Sequence, residues 1–182
     1  KDINQYKELL KNGEDFNIPI SYTIQHEQKG TAHAVGCAEE YANGENIVVI
    51  NADNIFEDNF NFKDFKHGAK IHLKEVPDPE RSGVAEIKDG KIISLEEKPK
   101  KPKSNYVMCG LYLYDKDVFD IIRTLKPSPR GEIETPDLLD VYLKRGKLDF
   151  SIVNGFWIDA GTFDSMLEAG NLVKKKLLKE QL

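Results

Sequence analysis

The sequence predicts a single α/β domain in which helices flank a mixed, mostly parallel central sheet. The first half of the chain alternates helical and strand patterns, which is typical of parallel α/β proteins. The second half contains a hairpin pattern centred on Asp89-Gly90, which adds antiparallel pairing and makes the sheet mixed. Because the chain has 182 residues and 40% of them are apolar, it is long enough to bury one full hydrophobic core.

The N-terminal part of the chain is expected to form a helix, a strand and a second helix. Asp2 is placed to cap a helix that stops at Gly13. Residues 18–24 then alternate between apolar and polar, as in a half-buried strand. Thr31 is placed to cap a second helix that reaches Tyr41.

Two apolar strands are expected next. Residues 47–50 are all apolar, which is typical of a parallel strand buried on both faces. A further strand contains Ile71 and Leu73. The segment between them, residues 59–68, has room for barely two helical turns, which is short for a crossover between parallel strands.

The middle of the chain predicts a hairpin, a long strand and a helix. Residues 84–87 and 92–95 flank Asp89-Gly90, a dipeptide that favours a type I′ turn. Residues 106–114 are rich in aromatic side chains and predict a strand, and residues 118–125 predict a helix.

The C-terminal part predicts a helix, a short strand and a long helix. Thr135-Pro136 is a cap followed by proline at the first helical position, and the helix that it opens reaches Arg145. A strand follows at residues 156–158, after which Thr162 is placed to cap a helix with an apolar stripe from Met166 to Leu178. That stripe can pack on the chain's own sheet or on a second copy, so the sequence allows a homo-oligomer.

The overall composition excludes several classes of protein. The formal net charge of -5 argues against nucleic-acid binding, which usually requires a basic surface. No stretch approaches about 18 consecutive apolar residues, and the first four residues do not resemble a signal peptide. The spacing of the two cysteines, Cys37 and Cys109, suggests neither a disulfide framework nor a zinc site. We therefore expect a soluble, cytoplasmic protein that binds neither nucleic acid nor membrane.

Two aspartates follow apolar strands at the point where each strand ends. Asp53 comes after residues 47–50, and Asp159 comes after residues 156–158. Ligands of open α/β sheets collect where strands end, so we expect these carboxylates to converge and to hold a divalent cation. Each aspartate also fits an ordinary turn, because Asp is common in turns and before helices.

Lys98 is the candidate ligand for a phosphate. It follows the strand of residues 92–95, and the next residue, Pro99, favours an extended backbone at the lysine. A solvated basic loop is the alternative interpretation, since three more lysines follow within five residues. Only one of Glu96 and Glu97 can face the same side as a ligand, where its carboxylate can accept hydrogen bonds from sugar hydroxyls.

Gln25 and Gly30 are candidates for recognition of a base. A side-chain amide can both donate to and accept from a pyrimidine edge. A glycine lets the backbone approach a flat ring closely. The spacing of these two residues alone is unspecific.

Six short motifs occur in a fixed order along the chain. They are Ala52-Asp53-Asn54-Ile55-Phe56, Pro77-Asp78-Pro79-Glu80-Arg81 with Gly83-Val84, Glu96-Glu97-Lys98-Pro99, Gly110-Leu111-Tyr112, Arg130-Gly131-Glu132 and Trp157-Ile158-Asp159-Ala160-Gly161-Thr162. In this order they resemble the sugar-1-phosphate nucleotidyltransferases, particularly the branch similar to glucose-1-phosphate thymidylyltransferase. The resemblance extends from Ile18 to Val173.

The resemblance implies a Rossmann-like nucleotidyltransferase fold and a specific reaction. Such enzymes transfer a nucleoside monophosphate from a nucleoside triphosphate to a sugar 1-phosphate, here expected to be glucose 1-phosphate, and release pyrophosphate. The residues that would carry the reaction by similarity are Asp53 and Asp159 for Mg²⁺, Lys98 and Arg130 for the sugar phosphate, Gln25 and Gly30 for the base, and Gly83 and Glu97 for the sugar.

The sequence departs from the family pattern in two respects. The glycine-rich loop that defines the family is not found in residues 1–182, so we expect a single nucleotidyltransferase domain without its N-terminal nucleotide-binding strand and loop. Gly30-Thr31-Ala32 is closer to the uridylyltransferase relatives, and Ser82 stands where an aromatic residue is usual. The base therefore stays open between dTTP and UTP.

Two alternatives remain from the sequence. The first is a non-catalytic or regulatory domain that binds nucleotide sugars without the triphosphate loop. The second is a metal-dependent glycosyltransferase, which also uses acids at strand ends. Ala52 stands where such an enzyme would carry a paired acid, which argues against the second alternative.

Overall fold

The computed structural model describes residues 2–180, which contain eight strands and six helices. The strands are β1 (Ile47–Ile50), β2 (Asn54–Phe56), β3 (Ala69–Glu75), β4 (Gly83–Lys88), β5 (Lys91–Glu97), β6 (Tyr106–Tyr114), β7 (Leu148–Ile152) and β8 (Trp157–Asp159). The helices are α1 (Ile3–Leu10), α2 (Thr31–Gly36), α3 (Glu39–Ala42), α4 (Val118–Thr124), α5 (Thr135–Lys144) and α6 (Phe163–Glu180). No helix among these is long and apolar enough to cross a membrane.

β6 is the centre of a six-stranded sheet. Five strands follow the order β5-β4-β6-β3-β7, and the sixth, β1, pairs with β6 outside this order. β3 pairs along one edge of β6. The other edge is shared, because β4 pairs at Val107 and β1 pairs from Leu111 to Tyr114. Gly110 lies between these two pairings with a left-handed φ of 68°, and its carbonyl accepts the amide of Asn51 at 2.8 Å.

The sheet is mixed as predicted, but the expectation that it is mostly parallel is wrong. Among the described strands, β3 and β7 form the single parallel pair, and the other pairings are antiparallel. The reason is that β1 and β3 are not neighbours, since β6 lies between them and runs antiparallel to both. β1 and β3 therefore run parallel to each other on opposite sides of β6, and residues 51–68 connect them through β2 without an α-helix.

The hairpin and the long strand are confirmed. Asp89 and Gly90 both have positive φ, at 51° and 73°, as a type I′ turn requires. The helices over residues 118–125 and 135–145 are also confirmed within a residue at each end. The cap positions differ by one residue, because Gly30 rather than Thr31 precedes α2 and Glu134 rather than Thr135 precedes α5.

The strand predicted over residues 18–24 is wrong, because no described strand lies beside it to complete a ladder. Hydrogen bonds from side chains hold this segment instead. The Tyr22 hydroxyl donates to the carbonyl of Lys11 at 2.5 Å, and the Tyr41 hydroxyl donates to the carbonyl of Tyr22 at 3.0 Å. The second helix is also interrupted, so that it forms the short helices α2 and α3.

The main core lies between the sheet and three helices, α2, α4 and α5, which contact one another. Its largest fully buried side chains include Tyr114 and Tyr142. Buried Asp115 connects the two layers, because its carboxylate accepts the Tyr142 hydroxyl at 2.9 Å and the Gly68 amide at 2.6 Å. The polar groups of this region are thereby paired, as burial demands.

Candidate active site

A cleft of about 270 Å³ opens beside the carboxyl end of β5, next to β4, β6 and the β2–β8 pair. Five of the residues singled out in the sequence line it, namely Gly83, Glu97, Lys98, Arg130 and Asp159. A larger cavity of about 1110 Å³ lies elsewhere, over Leu113 and Phe150. That cavity contains none of the predicted site residues, so the smaller cleft is the candidate site.

Asp53 and Asp159 are brought together by the two-stranded β2–β8 sheet. Asn54 pairs with Asp159 in its register, and the amide of Ala160 donates to the carbonyl of Asp53 at 2.7 Å. A Cβ atom at Gly161 would lie 2.9 Å from Asp159 Oδ1 and 3.5 Å from Asp53 Oδ2. The two carboxylates therefore border the same small space, as their positions at strand ends predicted.

This pair of exposed carboxylates fits a magnesium ion. Mg²⁺ is usually held in proteins by one or two carboxylates, while water and substrate phosphates complete its shell. No group of three or more His, Cys, Asp or Glu side chains suited to a metal occurs within residues 2–180. A dedicated all-protein metal cage is thus absent from the described chain.

Asn54 orients the first of these carboxylates. Its Nδ2 donates to Asp53 Oδ1 at 2.7 Å, while its Oδ1 accepts Trp157 Nε1 at 2.6 Å. Asn54 is 9% exposed, so its amide is fixed on both sides. This role was not predicted from the sequence, although Asn54 belongs to the Ala52-Asp53-Asn54-Ile55-Phe56 motif and Trp157 begins another of the six motifs.

Glu97 and Gly83 lie opposite each other on β5 and β4. Glu97 faces the cleft and Glu96 is exposed outside it. Burial raises the pKa of Glu97, against the opposing effects of Lys98 and Arg130. A Cβ at Gly83 would overlap Cε of Met108 and lie 3.1 Å from Glu97 Oε2, so glycine keeps this part of the cleft open.

The backbone of Lys98 is not extended, contrary to the prediction from Pro99. Its φ is 45°, in the left-handed region, while its amide still donates to the carbonyl of Ser82 at 3.1 Å. The preference that a proline imposes on the preceding residue is therefore not decisive at this turn, where Pro99 is buried and the Lys98 amide is paired. Such a conformation costs a non-glycine residue about 1–3 kcal/mol and is common at functional sites.

Arg130 lies at the rim of the cleft among carboxylates. Its Nε is 3.7 Å from Glu134 Oε1, and its Nη2 is 3.8 Å from Glu132 Oε2. The Ser128 hydroxyl also donates to Glu134, at 2.7 Å. These contacts are long for the arginine and leave its donors available to a stronger anion such as phosphate.

Gln25 and Gly30 contact each other but do not line the cleft. Gln25 Nε2 lies 3.0 Å from the Gly30 carbonyl, to which it donates, and 2.9 Å from His33 Nδ1. Gly30 packs against the backbone of Ile133, whose carbonyl would lie 2.5 Å from a Cβ at this position. Thr31, the next residue, does line the cleft.

The sequence profile described as nucleotidyl transferase matches residues 1–176. The chain belongs to the nucleotidyl transferase family.

Individual members of the nucleotidyl transferase family align along nearly the whole chain. A glucose-1-phosphate thymidylyltransferase of Mycolicibacterium smegmatis is 39% identical over 189 positions, which cover 100% of this chain and 66% of that protein. One of Neisseria meningitidis is 39% identical over 183 positions, covering 96% of this chain and 64% of that protein. The chain thus spans about two thirds of the length of these relatives.

A solved structure confirms the predicted family fold. It is a crystal structure from Bacillus anthracis, described as a glucose-1-phosphate thymidylyltransferase in complex with sucrose. The two chains are 44% identical with a TM-score of 0.87, over 93% of this chain and 71% of the other. The Rossmann-like nucleotidyltransferase fold expected from the motifs is therefore correct.

Several residues that line the cleft of this chain were not assigned from the sequence. They are Thr31, Asn51, Asn54, Arg81, Ser82, Met108, Gly110, Tyr112, Glu132, Glu134, Thr135 and Trp157. Arg81 could have been found, because it ends the Pro77-Asp78-Pro79-Glu80-Arg81 motif and lies two residues before Gly83, where β4 begins. Glu134 could not, since its proximity to Arg130 depends on a loop conformation that has no sequence signature.

Proposed function

We propose that this protein transfers a nucleoside monophosphate from dTTP or UTP to a sugar 1-phosphate, with glucose 1-phosphate as the expected acceptor. The observation that carries the proposal is the convergence of Asp159, Lys98, Arg130 and Glu97 on one cleft of a chain that resembles thymidylyltransferases. A phosphate oxygen of the sugar attacks the α-phosphorus of the nucleotide, and the bond from that phosphorus to the pyrophosphate oxygen breaks. Positioning and charge neutralisation supply most of such catalysis.

Lys98 and Arg130 would hold the phosphate of the sugar 1-phosphate. They approach the cleft from different segments, so they can neutralise two sides of one dianion. Arginine presents a fork of donors that matches phosphate oxygens, whereas lysine acts as a compact charge. Glu97 can accept hydrogen bonds from sugar hydroxyls, and Gly83 leaves space for the ring.

Asp53 and Asp159 would hold Mg²⁺. When bound, the ion would neutralise negative charge on the phosphates that are being exchanged. Asn54 keeps the Asp53 carboxylate oriented through its hydrogen bond to Oδ1. The Gly161 amide does the same for Asp159, because it donates to Asp159 Oδ1 at 2.9 Å.

Gln25 and Gly30 are proposed to face the base. Gln25 Nε2 is engaged by Gly30 and His33, which leaves Gln25 Oε1 to accept a hydrogen bond. The imide N–H of thymine or uracil is a suitable donor. Both bases carry that group, so this contact does not separate dTTP from UTP.

The test is pyrophosphate release in the presence of Mg²⁺. dTTP and UTP are each combined with glucose 1-phosphate and N-acetylglucosamine 1-phosphate, and Asp53→Asn serves as the control. Release that Asp53→Asn abolishes would support the transferase and identify its base and sugar. Binding of a nucleotide sugar without any release would instead support a non-catalytic or regulatory binding domain.

A further inference from the structure

A segment that lies outside the cleft, residues 153–156 between β7 and β8, is held by charged side chains. On one side, the ammonium of Lys74 on β3 donates to three consecutive carbonyls. The distances are 3.2 Å to Val153, 3.2 Å to Asn154 and 2.7 Å to Gly155. An ammonium has three N–H donors and no acceptor, so these contacts can use its full donor capacity.

Carboxylates hold the amides of the same segment. Asp58 accepts the amide of Asn154 at 2.8 Å and that of Gly155 at 2.5 Å. Glu57 Oε2 accepts the amide of Phe156 at 3.1 Å. The Lys74 ammonium therefore donates to the carbonyls of residues 153–155, and the two carboxylates accept the amides of residues 154–156.

Asp58 and Glu57 approach the backbone of the segment closely at Gly155. A Cβ atom at Gly155 would overlap Asp58 Oδ1 and lie 2.8 Å from the Cβ of Glu57. The Val153 amide also donates to the carbonyl of Leu73 at 2.8 Å, which ties the segment to β3. We call Lys74, Asp58 and Glu57 together the 153–156 clamp.

The clamp lies directly beside the ladder that carries the two aspartates. Glu57 follows β2 immediately, and residue 156 precedes β8 immediately. The ladder is only three residues long on each strand, and a two-stranded pair is marginal by itself. Its register must therefore be stabilised from outside, and the register decides whether Asp53 and Asp159 border the same space.

We infer that Lys74 and Asp58 are positioning residues that fix the β2–β8 register and thereby set the spacing of Asp53 and Asp159. The importance of that spacing for catalysis rests on the proposed function. The effect of Lys74 and Asp58 on the register is independent of the proposed function, because it follows from the hydrogen bonds alone. If β8 shifted by one residue along β2, the Asp159 carboxylate would lie on the opposite face of the ladder from Asp53, since a shift by one residue reverses every side chain.

The first measurement is amide hydrogen exchange, compared among the wild type, Lys74→Met, Lys74→Arg and Lys70→Met. Lys74→Met should speed exchange at the Ala160 and Glu57 amides by about tenfold or more, while β6 amides keep their protection. Lys74→Arg should restore most of the protection, because it keeps a cationic donor. Lys70→Met, a control on the same strand, should resemble the wild type. Unchanged protection in folded Lys74→Met would overturn the inference.

The second measurement is the affinity for Mn²⁺, which is determined from the electron paramagnetic resonance signal of the free ion. Lys74→Met should weaken binding by about tenfold, as is typical when a group that orients metal ligands is removed. Faster exchange with unchanged Mn²⁺ affinity would also overturn the inference. If Lys74→Met does not fold, Asp58→Asn replaces it, since it removes one acceptor from the clamp. A wild type that binds no Mn²⁺ would contradict the proposed metal site, and the exchange rates would still decide the register.

Discussion

Glu97 shows how one residue of the cleft carries an energetic cost. Burial raises its pKa, with Lys98 and Arg130 opposing this effect and Glu134 and Glu132 adding to it. The ionised form is therefore less favourable in the folded chain than in the unfolded chain. A carboxylate that destabilises the free protein is typical of a binding site, where a ligand compensates for it.

Replacement of Glu97 by glutamine should therefore stabilise the ligand-free protein in a pH-dependent way. Below the ordinary pKa range of glutamate the wild-type carboxyl is protonated in both states, so Glu97→Gln should gain nothing. As pH rises through the raised pKa of Glu97, the wild type loses stability that the variant keeps. Urea unfolding from pH 4 to pH 8 measures this difference.

Glu96→Gln is the matched control for this experiment, because Glu96 is exposed at the neighbouring position. It should leave the stability of the protein nearly unchanged. A Glu97→Gln variant that is no more stable than the wild type at pH 8 would contradict the prediction. So would a gain that grows as the pH falls.

At the scale of elements, Gly110 marks the point where one edge of β6 changes partner from β4 to β1. Its left-handed φ lets the strand bend there, and its missing side chain leaves space for Asn51, whose Nδ2 would lie 2.7 Å from a Cβ. Gly110→Ala should destabilise the protein by about 1–3 kcal/mol, from backbone strain and displacement of Asn51.

Gly44→Ala separates the two contributions. Gly44 also has a left-handed φ, 74°, but no atom lies within 4 Å of the position of its Cβ. The variant should lose only the smaller, conformational part of the stability, measured by urea unfolding. Equal losses in the two variants would mean that the contact with Asn51 contributes nothing.

The elements that the sequence predicted correctly are those with strong local signals. The Asp89-Gly90 turn is an example. The apolar run of residues 47–50 also forms a strand, β1, but the expectation of a parallel strand buried on both faces is wrong. β1 pairs antiparallel with β6 and leaves Val48 and Ile50 exposed on one face. β7 was not predicted, although residues 148–152 alternate between apolar and polar and could have revealed it. The strand expected at residues 18–24 shows the opposite failure, because a suitable pattern forms no strand without a neighbour to pair with.

In the candidate site, too, the residues with a strong local signal were predicted and those that depend on distant contacts were not. Asp53 and Asp159 could be located because the ends of apolar strands are visible in a sequence. The pairing of Asn54 with Asp159, and the clamp on residues 153–156, depend on contacts between segments about a hundred residues apart. Such contacts are set by the packing of the whole chain and leave no local pattern.

At the scale of the whole molecule, the chain is predicted to unfold as one domain. Trp157, the sole tryptophan, lies in the β2–β8 pair, whereas most of the secondary structure belongs to the large sheet and its helices. Tryptophan fluorescence and far-UV circular dichroism should therefore give coincident transitions in urea. An earlier fluorescence transition would show that the β2–β8 pair unfolds separately from the main sheet.

The central position of β6 has a consequence for synthesis of the protein. The described partners of β1 and β3 are β6 and β7, which follow them in the chain. On the ribosome, β1 and β3 emerge before either partner has been translated, and unpaired strands in a nascent chain are prone to aggregate. A pause in translation before Tyr106 would therefore prolong the interval in which the growing polypeptide depends on chaperones.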